Sequence, residues 1–200
     1  MPTLVCQTAP NFTASAVLAN GTIDNNYQLA DAIKGKYGLV FFYPLDFTFV
    51  CPTELVALNN RMEEFKKRNV EVIAVSIDSA FTHAAWRNTP VDKGGIGPVN
   101  FTMVADIKHE IARAYDVENE GGVALRGAFL IDKTGVVRSA IINDLPIGRN
   151  IDEMLRLFDA IQHHEQHGEV CPANWKKGNK GFNATPQEIA SYLKEHEELL

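Results

Sequence analysis

Leu39-Val40-Phe41-Phe42-Tyr43-Pro44-Leu45-Asp46-Phe47-Thr48-Phe49-Val50-Cys51-Pro52-Thr53-Glu54 is the stretch that decides the fold. The unbroken apolar run from Leu39 to Tyr43 suits a strand covered on both faces. Pro44 turns the chain out of that strand, and Pro52 suits the first turn of a helix. Beyond it, Leu55, Leu58, Met62 and Phe65 recur at helical spacing and form one apolar stripe. Lys66, Lys67 and Arg68 then complement the negative end of the helix. Val70 to Ile77 reads as a second buried strand. Strand, helix and strand in that order predict a right-handed βαβ unit.

Working outward, Asn20-Gly21 between Ala16–Ala19 and Thr22-Ile23 is a two-residue hairpin turn signal. A helix is expected from Ser79 to just before Pro90, and a short strand over Phe101–Val104. Asp106 caps a helix whose Ile107, Ile111 and Tyr115 stack four apart. Gly127–Ile131 and Val136–Ile142 form a hairpin around Asp132-Lys133-Thr134-Gly135. Asn150 and Glu153 pair as caps of a long helix that stops at Gly168, with Ile151, Met154 or Leu155, Phe158 and Ile161 inward. Residues 169–184 are rich in Gly, Asn, Lys and Pro and read as an extended arm. Thr185, Pro186 and Glu188 open a last short helix carrying Ile189, Tyr192 and Leu193 on one side. The expected organisation is therefore a core over residues 1–168 and an arm with a short helix over 169–200.

Composition narrows the function. The chain has 200 residues, 46% hydrophobic and 22% charged, as an ordinary globular domain has. Its 19 basic and 25 acidic residues give a net charge of -6. No basic block exceeds Lys66-Lys67-Arg68, which argues against nucleic-acid binding. No apolar run approaches the roughly 18 residues of a membrane span. The N-terminal residues do not read as a signal peptide, so the expected compartment is the cytoplasm. The three cysteines, Cys6, Cys51 and Cys171, are too few and too scattered for a disulfide scaffold.

Cys51 stands at a helix N-terminus, where unpaired N–H groups and the helix dipole favour an anion. That setting favours the nucleophilic thiolate. Thr48 lies one turn of loop earlier, within reach of the sulfur or of an oxygen bound to it, and Pro44 shields the site from water. A buried structural cysteine beside a helix end fits the same pattern. His163, His164 and His167 invite a metal reading, but His164-Glu165-Gln166-His167 is one residue short of the zinc signature, and histidines in a last helical turn also suit the helix dipole. Cys6 lies outside any motif.

The segment from Phe42 to Glu54 closely resembles the active-site segment of peroxiredoxins, Pro-x-x-x-Thr-x-x-Cys, with Pro44, Thr48 and Cys51 in place. Asp46-Phe47-Thr48-Phe49-Val50-Cys51-Pro52-Thr53-Glu54 is similar to the typical two-cysteine, alkyl hydroperoxide reductase C-type branch. Val170-Cys171-Pro172 resembles its resolving-cysteine motif. Arg126 matches the active-site arginine, and Glu54 and Arg149 match the pair that holds it. The resemblance implies a thioredoxin-like α/β fold: a central mixed sheet flanked by helices, an N-terminal hairpin and a C-terminal arm. It also implies peroxide reduction without cofactor or metal, through a Cys51 sulfenic acid and an intersubunit disulfide with Cys171. A thioredoxin-type or flavoprotein disulfide reductase would reopen that bridge, in a homodimer that assembles into a decamer. Gly94-Gly95-Ile96-Gly97 resembles the Gly-Gly-Leu-Gly insertion of oxidation-sensitive members, whereas Tyr192-Leu193 departs from their Tyr-Phe and implies a weaker clamp on the active-site helix. A disulfide oxidoreductase is disfavoured because Cys-x-x-Cys is absent. A client-binding holdase role remains compatible with the same chain.

Overall fold

The computed structural model describes residues 3–199. The chain divides between Ile151 and Asp152 into two compact units. The first is built on one seven-stranded mixed sheet in the order β2-β1-β5-β4-β3-β6-β7. Its strands are β1 (Thr13–Val17), β2 (Ile23–Gln28), β3 (Tyr37–Phe42), β4 (Val70–Ser76), β5 (Thr102–Ala105), β6 (Arg126–Ile131) and β7 (Val137–Asn143). The sheet, its flanking helices and the N-terminal hairpin form the expected thioredoxin-like α/β architecture.

The strand read first lies inside the sheet, between β4 and β6. β3 pairs in parallel with β4 and antiparallel with β6, and all six of its residues are buried. The edge strands β2 and β7 alternate or expose their residues instead. This contrast explains why the central strands read as continuous apolar runs and the edges did not.

Helices α1 (Leu29–Ala32), α2 (Cys51–Asn59), α3 (Met62–Lys67), α4 (Ala80–Asn88) and α5 (Glu110–Ala114) complete the first unit. Three local expectations change. The single helix expected after Cys51 is two, broken at Asn60-Arg61. Asn59 turns its side-chain oxygen to the Asn100 backbone N–H at 2.8 Å, and asparagine is a poor helix interior residue. The stripe survives the break, because Leu55, Leu58, Met62 and Phe65 are all buried. The N-terminal hairpin turn is wider than two residues: Val17 pairs with Ile23, and the loop closes through Asn20 Oδ1 accepting from the Thr22 N–H, with Gly21 at φ +87°. Finally, Asp106 does cap a helix, but from a distance. Its carboxylate accepts from the Ile111 and Ala112 N–H groups, and the intervening Ile107 is exposed.

At two other places the local signal matches the structure. Ser79 accepts from the Thr82 N–H at the start of α4. The β6–β7 turn is tied by Asp132 Oδ1 to Thr134 and Val136.

Helix α6 (Ile151–His167) begins at the division, and Gly168 ends it at φ +69°. In the second unit the arm forms an antiparallel bridge between Val170 and Phe182. Helix α7 (Pro186–His196) follows, capped by the Thr185 side chain on the Glu188 N–H. Among the described residues no helix is long and apolar enough to cross a membrane.

Candidate active site

Cys51 is the first residue of α2, and its thiol is 1% exposed. Val50 precedes it, and the Val50 carbonyl accepts from the Thr53 and Glu54 N–H groups, which closes the first turn. Pro52 lacks an N–H to satisfy. The sulfur therefore stands at the electropositive end of the helix, as the sequence suggests.

Two arginines from distant parts of the chain converge there. Arg126, the first residue of β6, points Nη1 at Cys51 Sγ over 3.6 Å, and the same nitrogen donates to Glu54 Oε2 at 2.8 Å. Its Nε donates to the Leu145 carbonyl at 2.6 Å. Arg149, in the loop after β7, donates from its backbone N–H and Nε to Glu54 Oε1, and from Nη2 to Oε2. It is fixed further by Nη1 on the Gly127 carbonyl and by the Phe41 ring, 3.4 Å from its Cζ.

All three charged residues are buried. Burial alone would raise the Glu54 carboxyl, but the hydrogen bonds and charges of Arg149 and then Arg126 outweigh it and hold it below the usual carboxylate range. Burial draws the Arg149 guanidinium down, and Glu54 opposes that. The cluster carries two guanidinium charges against one carboxylate. The Cys51 sulfur lies beside Arg126, whose Nη1 is directed at it as well as at Glu54.

Thr48 and Pro44 lie in the loop between β3 and α2. Pro44 is buried and Thr48 half-buried. The Thr48 hydroxyl donates to the Leu45 carbonyl at 2.9 Å rather than to the sulfur. Its oxygen lone pairs stay available to accept a proton donor arriving at Cys51.

The loop is braced by a buried network that the sequence did not announce. Asp46 accepts from the Tyr43 hydroxyl at 2.7 Å and meets His83 Nδ1 at 2.7 Å, while His83 Nε2 reaches the Val104 carbonyl. Asp78 receives the Asp46 backbone N–H and the Ser76 hydroxyl. Burial, opposed by the hydrogen bond and charge of His83, leaves the Asp46 carboxyl above its usual value. Only the position of Asp46 between Pro44 and Thr48 could have drawn attention to it.

The sequence-expected residues Cys51, Thr48, Pro44, Arg126, Glu54 and Arg149 thus occupy one neighbourhood of the first unit. Cys171 lies in the second, where its thiol donates to the Ala160 carbonyl of α6 over 3.6 Å. Burial raises that thiol above its usual value; Arg156 opposes the shift and Glu169 adds to it. All three cysteines are free thiols, with Cys6 exposed.

The AhpC/TSA family matches residues 5–140, and the C-terminal domain of 1-Cys peroxiredoxin matches residues 160–195. An alkyl hydroperoxide reductase C of Helicobacter pylori is 56% identical over 193 residues, spanning 96% of this chain and 98% of its own. Peroxiredoxin-2 of Mus musculus is 47% identical, covering 95% of each chain. The reduced 2-Cys peroxiredoxin of Plasmodium vivax superposes with a TM-score of 0.94 at 46% identity, over 96% of this chain and 100% of that one.

Proposed function

The chain belongs to the AhpC/TSA family of thiol-dependent peroxidases, and from that premise we propose that Cys51 is the peroxide-reducing cysteine, with Thr48, Arg126 and Pro44 around it and Glu54 and Arg149 holding Arg126. The observation that carries this reading is the Arg126 guanidinium set against Cys51 Sγ by Glu54 at the first turn of α2.

The Cys51 thiolate attacks the terminal oxygen of a hydroperoxide. The S–O bond forms with the sulfur's electron pair, the O–O bond breaks, and the alkoxide or hydroxide takes a proton from water. Sulfur becomes a sulfenic acid, the reversible first rung of cysteine oxidation. Arg126 stabilises the charge that develops on the departing oxygen. Thr48, its own proton committed to Leu45, accepts from the peroxide O–H and orients it. Buried Pro44 limits water at the sulfur.

Cys171 then attacks the sulfenic sulfur. A disulfide forms and water leaves with the thiol proton. We assign this bridge to two subunits, since 171 − 51 = 120 positions separate the two cysteines and Cys171 lies in a polar arm. A dithiol reductant, thioredoxin-like or a flavoprotein, would reopen it by exchange. Exposed Phe49, 92% accessible, and Phe81, 78%, support contacts between copies, as does the place of β7 at the edge of the sheet. A homodimer assembling into a decamer accommodates both. Three free thiols fit a reducing cytoplasm.

The test is peroxide consumption by purified variants. Cys51→Ser should abolish it and Cys6→Ser should leave it unchanged. Substantial turnover in Cys51→Ser would overturn the assignment.

A further inference from the structure

Cys51 follows the carboxyl end of β3. β3 and β5 both run parallel to β4, so the amino ends of all three lie together at the opposite end of the sheet. A cavity of about 450 Å³ opens there. Lys36 just before β3, Glu71 in β4 and Thr102 at the start of β5 line it, together with Leu18, Tyr27 and Asp31 of the N-terminal hairpin and α1. A volume of that order suits a small molecule.

Tyr27 sets this cavity apart. It is 8% exposed, and its hydroxyl is the one buried side-chain polar atom among the described residues that has no hydrogen-bond partner. A buried hydroxyl left in that state costs stability. Burial first, and the charge of Glu71 second, raise it well above the usual tyrosine range, so it stays a proton donor in want of an acceptor. Glu71 and the Thr102 hydroxyl act on it and both line the cavity, which places the hydroxyl at the cavity wall. The wall carbonyls of Leu18 and Ala19 are already held by the Arg87 guanidinium, at 2.7 and 2.9 Å. Charge decides the kind of ligand. The carboxylates of Asp31 and Glu71 line the cavity and that of Asp24 acts from beside it, against Lys36 within and Arg87 behind the wall. That balance favours a cation over an anion.

We propose that this cavity binds a small primary amine bearing a hydroxyl or carbonyl oxygen, the oxygen accepting from Tyr27 and the ammonium taking the place of Lys36 on Glu71. Lys36 Nζ meets Glu71 at 2.7 Å, but the two side chains are 44% and 32% exposed. A surface pair of that kind is weakly held, so an arriving ammonium can displace Lys36 and open the way to the hydroxyl. A short alkyl group on the ligand finds Leu18 and Ala32 on the apolar side of the cavity. The site stands apart from the peroxide chemistry, because none of its lining groups touches Cys51, Arg126 or Glu54.

The experiment titrates reduced full-length protein with leucinol, which carries the amine, the hydroxyl and a branched alkyl group, and follows binding by saturation-transfer NMR. Isoamylamine lacks the oxygen and isovalerate is an anion. Leucinol should bind about three- to tenfold more tightly than isoamylamine, the worth of one hydrogen bond, and isovalerate should not bind. Tyr27→Phe should erase the difference between leucinol and isoamylamine. Lys36→Met, which removes the competing ammonium, should bind leucinol about two- to fivefold more tightly than wild type. Without any probe, Tyr27→Phe should melt at or above the wild-type Tm, since it removes an unpaired buried hydroxyl. Unchanged peroxide consumption verifies the fold of both variants. Absence of leucinol binding to wild type, or equal leucinol binding by wild type and Tyr27→Phe, overturns the proposal. A lower Tm in Tyr27→Phe overturns it too, because the hydroxyl would then have its partner within the chain.

Discussion

Glu54 is where the charges around Cys51 meet. Its two oxygens are shared between Arg126 and Arg149, and its side chain is 1% exposed. Glu54→Gln would leave two buried guanidiniums without a counter-charge, a change that typically costs about 3–5 kcal/mol. Loss of that order in denaturant unfolding at neutral pH is expected, together with slower peroxide reduction as Arg126 loses its anchor. The pH dependence has a definite sign. The folded Glu54 carboxyl is held below its unfolded value, so its contribution is present above the ordinary carboxylate pKa and is lost as pH falls through the folded value. Wild type and Glu54→Gln should therefore converge in stability in acid; a constant gap down to that range would show that Glu54 acts by shape alone. Thr48 is a purer case of rate without fold. Thr48→Val keeps the shape, and losing one group aimed at the reacting oxygens costs about 10²–10³ in rate in other enzymes. Near-normal peroxide rates in a folded Thr48→Val would remove it from the mechanism.

Among elements, the connection from α4 to β5 has the least room. Gly94 and Gly97 take φ +80° and +65°, and a Cβ on Gly95 would stand 1.9 Å from the Thr89 carbonyl oxygen. The close approach lets the Trp86 indole donate to the Gly94 carbonyl at 3.0 Å, and that ring packs on Tyr43 and on Phe47 of the loop leading to Cys51. Gly95→Ala must push backbone apart, with a cost of roughly 1–3 kcal/mol. A lower Tm is expected. Because the loop before α2 loses part of its support, less inactivation per turnover at high peroxide is expected as well. A Gly95→Ala protein as stable as wild type would show that the loop relaxes freely. Unchanged inactivation in a destabilised one would separate this loop from the motion of α2.

For the whole molecule the predictions concern assembly. Peroxide-treated protein should run as a thiol-sensitive dimer on non-reducing gels. Oxidised protein that stays monomeric under denaturing conditions would favour a bridge within one chain. Reduced protein should sediment as a ring of five dimers, loosened on oxidation, because the folded loop carrying Phe47 and Phe49, 51% and 92% exposed, would buttress contacts between dimers. A reduced protein that sediments as a plain dimer would exclude the ring.

Neighbours along the chain were enough to decide the apolar run of β3, the Ser79 and Thr185 caps, the Asp132 turn, and Cys51 at a helix start. Periodicity, capping and turn chemistry act within a few residues, so they can be read in order. The sequence also carried Cys51, Thr48 and Arg126 as a resemblance, residue by residue. Tertiary structure alone decided where Glu54 spends its charge, which carbonyl takes the Thr48 proton, and that Asp46 and His83 brace the loop. Arg149 meets Glu54 across 95 positions of sequence, and His83 meets Asp46 across 37. No local pattern encodes such meetings. They depend on β3, β4 and β6 lying side by side, and the burial of that sheet is what makes each polar group near it find a partner or be lost.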